Sequence, residues 1–258
     1  MSASVHPTAI VDPGAEIGDG TVVGAGVIIG PGVKVGRGCR LDPRSVLERN
    51  VTLGDNVRVG IGSIIGGDPQ DLKWAGEETT VSIGDGTVVR EYATINRGTA
   101  QSWSTTIGRN CLVMTTVHVG HDCHIGDGVI LSNGVGLAGH VHIDERAIIG
   151  GMSGVHQFVH IGAHAFVGGL CKLNKDVPPY VKVDGNPARL YGLNSIGLQR
   201  NGFPPDTLES LKKAYRLFFR SGLNIGQALE RWREELPQSP EVERFVRFIE
   251  DSERGVLV

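Results

Sequence analysis

Two adjacent residues, His121 and Asp122, could supply acid–base chemistry in this protein. A histidine beside a carboxylate can act as a general base toward a hydroxyl group. Gly139 and Gln157 follow His121 at intervals of 18 residues, and His140 follows Asp122 at the same interval. A bare glycine backbone can offer an N–H group to the oxyanion that forms when a hydroxyl attacks a thioester. The alternative interpretation is a polar corner with no catalytic function.

The interval of 18 residues comes from a six-residue repeat that would position these side chains. An aliphatic residue recurs at every sixth position from 5 to 173, and of these 29 positions only Asp71, Glu77 and Gln101 depart from the pattern. Neither a helix nor an alternating strand has this period. The pattern predicts a parallel β-helix whose stacked coils bury a continuous aliphatic column.

Three repeats make one coil in triangular solenoids of this kind, so residues 18 apart should stack at about 4.8 Å. The same interval stacks His124, His142 and His160. We interpret this second ladder as solvated or trimer-lining side chains.

Two polar segments, about residues 66–82 and 99–106, interrupt the repeat without changing its phase. Insertions in repeat proteins tend to lie on the binding side, and a tolerated surface loop is the alternative. After residue 173 the repeat fades, and we divide the chain into a β-helix domain, 1–190, and a C-terminal helical domain, 191–258. The helical domain is expected to cap the exposed end of the solenoid.

Three helices are predicted in the helical domain. Asp206 can cap the first helix, and Gly222 would end it. Apolar spacing predicts the second over 225–236 and the third over 240–249.

Composition narrows the function classes. The net charge of −3 argues against a nucleic-acid binder. The sequence has no run of 18 apolar residues, so we expect no membrane span. The first residues lack the basic and apolar regions of a signal peptide, which predicts a cytoplasmic protein. All four cysteines lie two places before a repeat position, and we interpret them as packing residues rather than disulfides.

Several segments together match one known family. The matching motifs are His118-Val-Gly-His121-Asp122-Cys, Leu137-Ala-Gly139-His140-Val, Val155-His156-Gln157-Phe158, Gly168-Gly169, Asp176-Val-Pro-Pro-Tyr180, Gly197-Leu-Gln-Arg200-Asn-Gly-Phe and Gln70-Asp71-Leu72-Lys73. With these motifs the chain resembles the UDP-N-acetylglucosamine acyltransferases of lipid A biosynthesis, and the resemblance covers essentially the whole chain. The hexapeptide repeat alone is shared with many acetyltransferases, whereas the histidine motifs combined with the helical tail are much more specific.

The resemblance implies a left-handed β-helix that assembles as a homotrimer with clefts between neighbours. It implies transfer of a 3-hydroxyacyl chain from acyl carrier protein to the 3-hydroxyl of UDP-N-acetylglucosamine, the first step of lipid A biosynthesis. No metal or other cofactor is expected, because the acyl donor is carried on the phosphopantetheine of acyl carrier protein.

The resemblance also implies residue roles. His121 would be the general base, Asp122 its orienting partner and Gly139 the oxyanion donor, while Gly169 would be the ruler of acyl chain length. The residues expected to bind the substrates are Gln70, Asp71, Lys73, His118, His140, His156, Gln157, Asn194 and Arg200.

The match has two departures in the nucleotide-binding segment. Better-known members carry an acidic residue where Ile196 stands and a second arginine where Asn201 stands, so the way in which the nucleotide is held remains open. The sequence also leaves open the acyl chain length and the acceptor, which is either the GlcNAc nucleotide or its 3-amino analogue.

Charge is distributed unevenly along the chain. Between residues 172 and 220, nine basic residues stand against four acidic ones, a local excess of +5 on a chain of net charge −3. An acidic partner such as acyl carrier protein would be steered to this region. A solvated helix face is the alternative.

Three other functions compete with this interpretation. One is a short-chain sugar acetyltransferase that uses acetyl-CoA on the same fold. Another is a metal enzyme of the trimeric carbonic-anhydrase type, with His118, His121 and His124 as ligands. A catalytically inactive scaffold is the third.

Overall fold

Residues 2–258, which the computed structural model describes, form a left-handed parallel β-helix followed by four α-helices. The β-helix has three faces, each a sheet of short strands, with 11, 9 and 8 strands. The predicted fold class is therefore confirmed.

The strands of each face are given in chain order. The first face holds β1 Ser4–Val5, β4 Val22–Val23, β7 Arg40–Leu41, β10 Arg58–Val59, β13 Val88–Val89, β16 Leu112–Val113, β19 Ile130–Leu131, β22 Ile148–Ile149, β25 Phe166–Val167, β27 Val181–Asp184 and β28 Arg189–Leu193. The second face holds β2 Ile10–Val11, β5 Ile28–Ile29, β8 Val46–Leu47, β11 Ile64–Gly67, β14 Thr94–Asn96, β17 His118–Val119, β20 Gly136–Leu137, β23 Gly154–Val155 and β26 Lys172–Leu173. The third face holds β3 Glu16–Ile17, β6 Lys34–Val35, β9 Val51–Leu53, β12 Thr80–Ile83, β15 Ser104–Ile107, β18 His124–Ile125, β21 His142–Ile143 and β24 His160–Ile161.

Paired strands follow the predicted register. His118 pairs with Gly136, and His124 with His142, both at an interval of 18 residues. The interval is 30 where Arg58 pairs with Val88, because the chain leaves the coil between β11 and β12. A second, shorter excursion lies between β14 and β15. Both return to the same aliphatic register, so the loops do not disturb the stacking.

The core is a stack of aliphatic residues that includes the second residue of most two-residue strands and side chains two places earlier in the repeat, such as Val57. Leu47, Val59 and Leu131 are fully buried in it, whereas the residue before each of them points outward. Val5 departs from the predicted buried column, with 45% of its surface exposed. It lies on the first coil, which has a neighbouring coil on one side only.

The four helices are α1 Ser195–Arg200, α2 Pro205–Phe219, α3 Ile225–Glu235 and α4 Pro240–Asp251. Helix α1 was not predicted from the sequence, because a helix of six residues is too short to show a periodic pattern of apolar residues. Asp206 was expected to be the N-cap of the first long helix, α2, but the N-cap is Pro204 and the helix begins at Pro205. Asp206 lies inside the first turn instead. The predictions for α3 and α4 agree with the structure to within two residues.

Helix α4 lies against the third face of the β-helix near its C-terminal end. Arg244 forms an ion pair with Glu145, and the Phe248 ring lies 4.5 Å from the ring of His160. None of the helices in residues 2–258 is long and apolar enough to cross a lipid bilayer.

Candidate functional site

His121 and Asp122 form a hydrogen-bonded pair at the corner between β17 and β18. His121 Nδ1 lies 2.8 Å from Asp122 Oδ2. Asp122 has a φ of 58°, a left-handed conformation that aspartate tolerates better than most residues and that lets the chain turn the corner. Because an ionised carboxylate only accepts hydrogen bonds, the neutral form of the His121 ring carries its proton on Nδ1 and has its lone pair on Nε2.

The shorter excursion, between β14 and β15, is here called the second loop. It encloses Asp122, which is 1% exposed. The Thr99 N–H donates to both of its oxygens at 2.9 and 3.0 Å, and the Thr99 hydroxyl donates at 2.8 Å. The Ser102 hydroxyl and N–H also donate to it. Burial by itself would raise the pKa of Asp122, but the hydrogen bonds from Ser102, His121 and Thr99 outweigh it and lower the pKa. Asp122 is therefore a carboxylate at neutral pH.

Thr99 and Ser102 were not identified as site residues from the sequence. The only signal was the polarity of the segment 99–106, in which five of the eight residues are Ser or Thr. Nothing in their spacing shows that the loop folds back onto the corner one coil away.

Gly139 lies directly against the His121 ring. A Cβ atom built at position 139 would lie 2.4 Å from His121 Cε1 and 2.5 Å from Nε2, so only glycine lets the ring occupy this position. Among residues 2–258, the Gly139 N–H has no hydrogen-bond acceptor, whereas the neighbouring His140 N–H donates to the His121 carbonyl at 2.9 Å. The free lone pair of Nε2 and the free N–H of Gly139 are thus adjacent.

A cavity of about 570 Å³ opens over these groups on the second face. This volume is within the usual range of small-molecule sites. The structure brings together six of the predicted site residues in its lining: Gln70, His118, His121, Gly139, His156 and Gln157. Asp122 lies behind His121, buried away from the cavity.

Two further predicted histidines lie beside the pair. His118 Nδ1 is 2.8 Å from the Thr94 hydroxyl, and burial, followed by the charge of His121, lowers the pKa of His118. His140 stacks on Phe158 at a ring separation of 4.5 Å, and burial lowers the pKa of His140 as well. Both imidazoles are neutral at neutral pH and can donate or accept hydrogen bonds.

The longer excursion, between β11 and β12, is here called the first loop. It is fixed at its base and exposed at its tip. Arg97, 1% exposed, forms an ion pair with Asp68 at the start of the loop. Gln70 reaches the cavity, whereas Asp71 and Lys73 do not belong to its lining in the chain as described. The Lys73 N–H donates to Asp71 Oδ1 at 2.9 Å, which closes a local turn.

The predicted nucleotide-binding residues lie elsewhere on the molecule. Asn194 and Arg200 line a different cavity of about 460 Å³, together with Ile196 and Asn201. The Asn194 side chain caps α1 by accepting from the Gly197 N–H at 3.2 Å. This cavity borders the first face, so a single chain does not bring Asn194 and Arg200 together with His121.

The two positions that depart from the family motif have their own environments. Ile196 is 66% exposed. Asn201 Oδ1 accepts a hydrogen bond of 2.7 Å from Arg146. Both Arg146 and Asn201 also line a cavity of about 940 Å³ on the first face, which no histidine lines.

Gly169 lies in the exposed turn between β25 and β26. A Cβ atom there would lie 3.2 Å from the Gly151 carbonyl oxygen and meet no other side chain within 4 Å. Within one chain, a larger residue at this position would therefore press first on the backbone of Gly151.

The ligand set considered for a metal enzyme does not converge. In the part of the chain that the structure describes, the two groups of potential ligand atoms within 4.8 Å of one another are His121, Asp122, His140 and His142, Asp144, His160. His118 and His124 belong to different faces and bond to Thr94 and Thr106 respectively.

Comparison with known proteins places the chain among acyltransferases. Residues 176–257 match the family described as Udp N-acetylglucosamine O-acyltransferase, domain 2. Residues 104–139 match the bacterial transferase hexapeptide repeat, and residues 5–103 match the GMPPB C-terminal domain.

Curated relatives and solved structures agree with these matches. The acyl-[acyl-carrier-protein]–UDP-N-acetylglucosamine O-acyltransferase of Syntrophobacter fumaroxidans is 46% identical over 98% of this chain and 99% of its own length. The protein of the same name from Gloeothece citriformis is 44% identical, over 98% and 91%. The crystal structure of UDP-N-acetylglucosamine O-acyltransferase from Moraxella catarrhalis superposes with a TM-score of 0.95 at 41% identity, covering 100% of both chains. That of the Francisella novicida UDP-N-acetylglucosamine acyltransferase also gives 0.95, at 39% identity over 98% and 93%.

Proposed function

The chain belongs to the acyl-[acyl-carrier-protein]–UDP-N-acetylglucosamine O-acyltransferase family, and we propose that it catalyses the reaction described by that name. It transfers a 3-hydroxyacyl chain from acyl carrier protein to the 3-hydroxyl of UDP-N-acetylglucosamine, the first step of lipid A biosynthesis. The resemblance found in the sequence thus led to the family, the fold and the enzyme class that the comparisons support.

The observation that carries the mechanism is the His121 ring, whose Nδ1 is bonded to Asp122 and whose Nε2 lies against Gly139 in the cavity wall. Nε2 accepts the proton of the sugar hydroxyl while its oxygen forms a bond to the thioester carbon. The Gly139 N–H donates to the carbonyl oxygen as it becomes negative, which is supported by its having no other acceptor in residues 2–258. The carbon–sulfur bond then breaks, and the thiolate of the carrier takes the proton back from His121.

Asp122 orients the base and stabilises the imidazolium that forms. Its carboxylate accepts from Thr99 and Ser102 as well as from His121, so it is fixed before substrate arrives. The steps require no protein nucleophile and no further cofactor, because the thioester is already activated. A base of this kind contributes about 10²–10⁴-fold to the rate.

A homotrimer would complete the site. The predicted nucleotide residues Asn194 and Arg200 line a cavity on another face from the one that holds His121. A neighbouring copy that presents its first face to the second face of this chain would join the two cavities in one cleft. Gln70, Asp71 and Lys73, on the projecting first loop, would then contact the sugar and phosphates, and His118, His140, His156 and Gln157 would line the substrates.

Helix α2 offers a surface for acyl carrier protein. Lys213 and Arg216 are exposed on it, and neither forms an ion pair within residues 2–258. Opposite charge on an acidic carrier would increase the association rate. Gly169 would set the depth of the acyl groove, because each methylene that fits contributes about 0.8 kcal/mol.

We infer that the protein works in the cytoplasm. All four cysteines are free and buried, which is typical of a reducing compartment. A cytoplasmic site would also give it access to acyl carrier protein and nucleotide sugars.

Product mass tests the proposal directly. Purified protein receives UDP-N-acetylglucosamine, or its 3-amino analogue, with a panel of 3-hydroxyacyl carrier proteins and with acetyl-CoA as the control donor. We expect a nucleotide sugar that carries one hydroxyacyl chain, and we expect His121→Ala to abolish it while the protein stays folded. Product from acetyl-CoA alone would instead support the short-chain acetyltransferase, and normal turnover by the His121→Ala protein would refute the proposed base.

A further inference from the structure

A second group of histidines and carboxylates lies on the third face, outside the proposed catalytic cavity. His142 and His160 pair in register on adjacent strands, and their ring centroids are 4.8 Å apart. His160 Nε2 lies 2.9 Å from Asp144 Oδ1. One potential ligand atom from each of these three residues lies within 4.8 Å of the other two. None of the proposed catalytic steps uses this group.

Helix α4 holds the carboxylate of this group in place. Arg244 Nη2 lies 3.3 Å from Asp144 Oδ2 and 2.9 Å from Glu145 Oε2. Arg244 therefore binds the oxygen of Asp144 that faces away from His160 and leaves Oδ1 directed at the histidines. Two carboxylates and one guanidinium sum to a charge of −1, so the group attracts a cation when its imidazoles are neutral.

Space for an ion adjoins the group. A cavity of about 250 Å³ is lined by residues that include His124, His142, Asp144 and Glu145. His124 Nδ1 is 2.9 Å from the Thr106 hydroxyl, and the His124 ring lies 5.7 Å from that of His142. Either His124 Nε2 or a water molecule could complete a fourth coordination position.

We propose that His142, Asp144 and His160 bind a divalent transition-metal ion of the Zn²⁺ class. Two imidazole nitrogens and one carboxylate oxygen are ligands that zinc and cobalt accept. Zinc–ligand bonds of about 2.0–2.1 Å place tetrahedral ligand atoms roughly 3.3 Å apart, so the three atoms, which lie within 4.8 Å of one another, need move only a short way. The proton between His160 Nε2 and Asp144 Oδ1 leaves when the ion binds. Arg244 acts from outside the ligand set by orienting Asp144, and the ion would link helix α4 to the third face through that contact.

Titration of the metal-free, full-length protein with Co²⁺ alone tests the site, because tetrahedral Co²⁺ absorbs visible light. We expect one ion per chain with such a band. His142→Gln and Asp144→Asn should each abolish the band, and Arg244→Gln should weaken binding about 10–100-fold. His140→Gln, in the other histidine group, is the matched control and should leave the band unchanged.

The outcomes are distinct. No Co²⁺ bound by the wild-type protein would overturn the proposal without reference to any variant. A band that survives His142→Gln but disappears in His140→Gln would also overturn it and would assign the ion to the group around His121. Because His142 is exposed, its replacement is not expected to affect folding, and circular dichroism checks this.

Discussion

Replacing Gly139 by alanine tests the geometry of the proposed site most directly. The alanine Cβ would lie 2.4 Å from His121 Cε1, and an ordinary contact requires about 3.4 Å, so the ring must move by about 1 Å. Gly139 does not have a positive φ, and alanine therefore causes no backbone strain of its own. The substitution therefore acts on the position of the His121 ring, the proposed base, and on the 2.8 Å bond between His121 and Asp122.

The Gly139→Ala protein should turn over substrate more slowly. A displacement of 1 Å in a catalytic group can cost about 100-fold in rate, which corresponds to about 2.7 kcal/mol of activation free energy. The loss should appear in kcat, because the ring moves and the rest of the cavity lining stays.

Gly136→Ala is the matched control. Gly136 lines the same cavity, but a Cβ atom there has no neighbour within 4 Å. Both variants are assayed for product mass and kcat with a hydroxyacyl carrier protein, after thermal unfolding has shown equal stability. The reasoning is refuted if the Gly139→Ala protein keeps kcat within about threefold of wild type, a change of less than 1 kcal/mol.

Three further predictions concern the second loop, the acyl groove and the carrier surface. Asp122→Asn should lower kcat about 10²-fold or more and speed amide hydrogen exchange at Thr99; unchanged exchange would contradict the role of Asp122 in holding the loop. The folded-state pKa of Asp122 is lowered, so the stability that the ionised carboxylate contributes is complete above its unfolded pKa of about 3.9. This stability disappears as the pH falls through the lower, folded-state pKa. Urea unfolding measured from pH 6 to 2 should show this loss in the wild-type protein and not in the Asp122→Asn variant. Gly169→Met should shift preference to shorter acyl chains by about fourfold per excluded methylene, and an identical chain profile would remove Gly169 as the ruler. Reversing Lys213 and Arg216 to Glu should raise KM for the acyl carrier about tenfold or more at low salt and leave KM for the nucleotide sugar unchanged; an equal effect on both would argue against docking there.

Much of the fold could be predicted because every coil buries the same type of residue at the same positions of its repeat. A buried aliphatic residue at every sixth position specifies the inner column, and the 18-residue interval specifies which residues stack. The ladder of His124, His142 and His160 and the position of Gly139 over His121 both follow from that interval alone. The short helix α1 could not be predicted, because its formation depends on the Asn194 cap and on packing rather than on a periodic apolar face.

The candidate site was predictable only in part. His121 and Asp122 are neighbours in sequence, so their types already suggest a base and its partner. Thr99 and Ser102 reach Asp122 from 23 and 20 residues away by way of a loop that does not follow the repeat. The path of such a loop depends on its own hydrogen bonds, and no periodicity predicts it.

By itself, the sequence determined the parts of this protein that depend on period and phase. These are the β-helix, its register and the stack that places Gly139 beside His121, since each coil pairs only with its neighbouring coils. Only the tertiary structure shows how Asp122 stays ionised while it is buried. It also shows that Asn194 and His121 lie apart within one chain. Those outcomes depend on contacts between an irregular loop or helix and a face of the solenoid, where distance along the chain does not determine distance in space. The separation of Asn194 from His121 and the contact of Arg244 with Asp144 are of this kind.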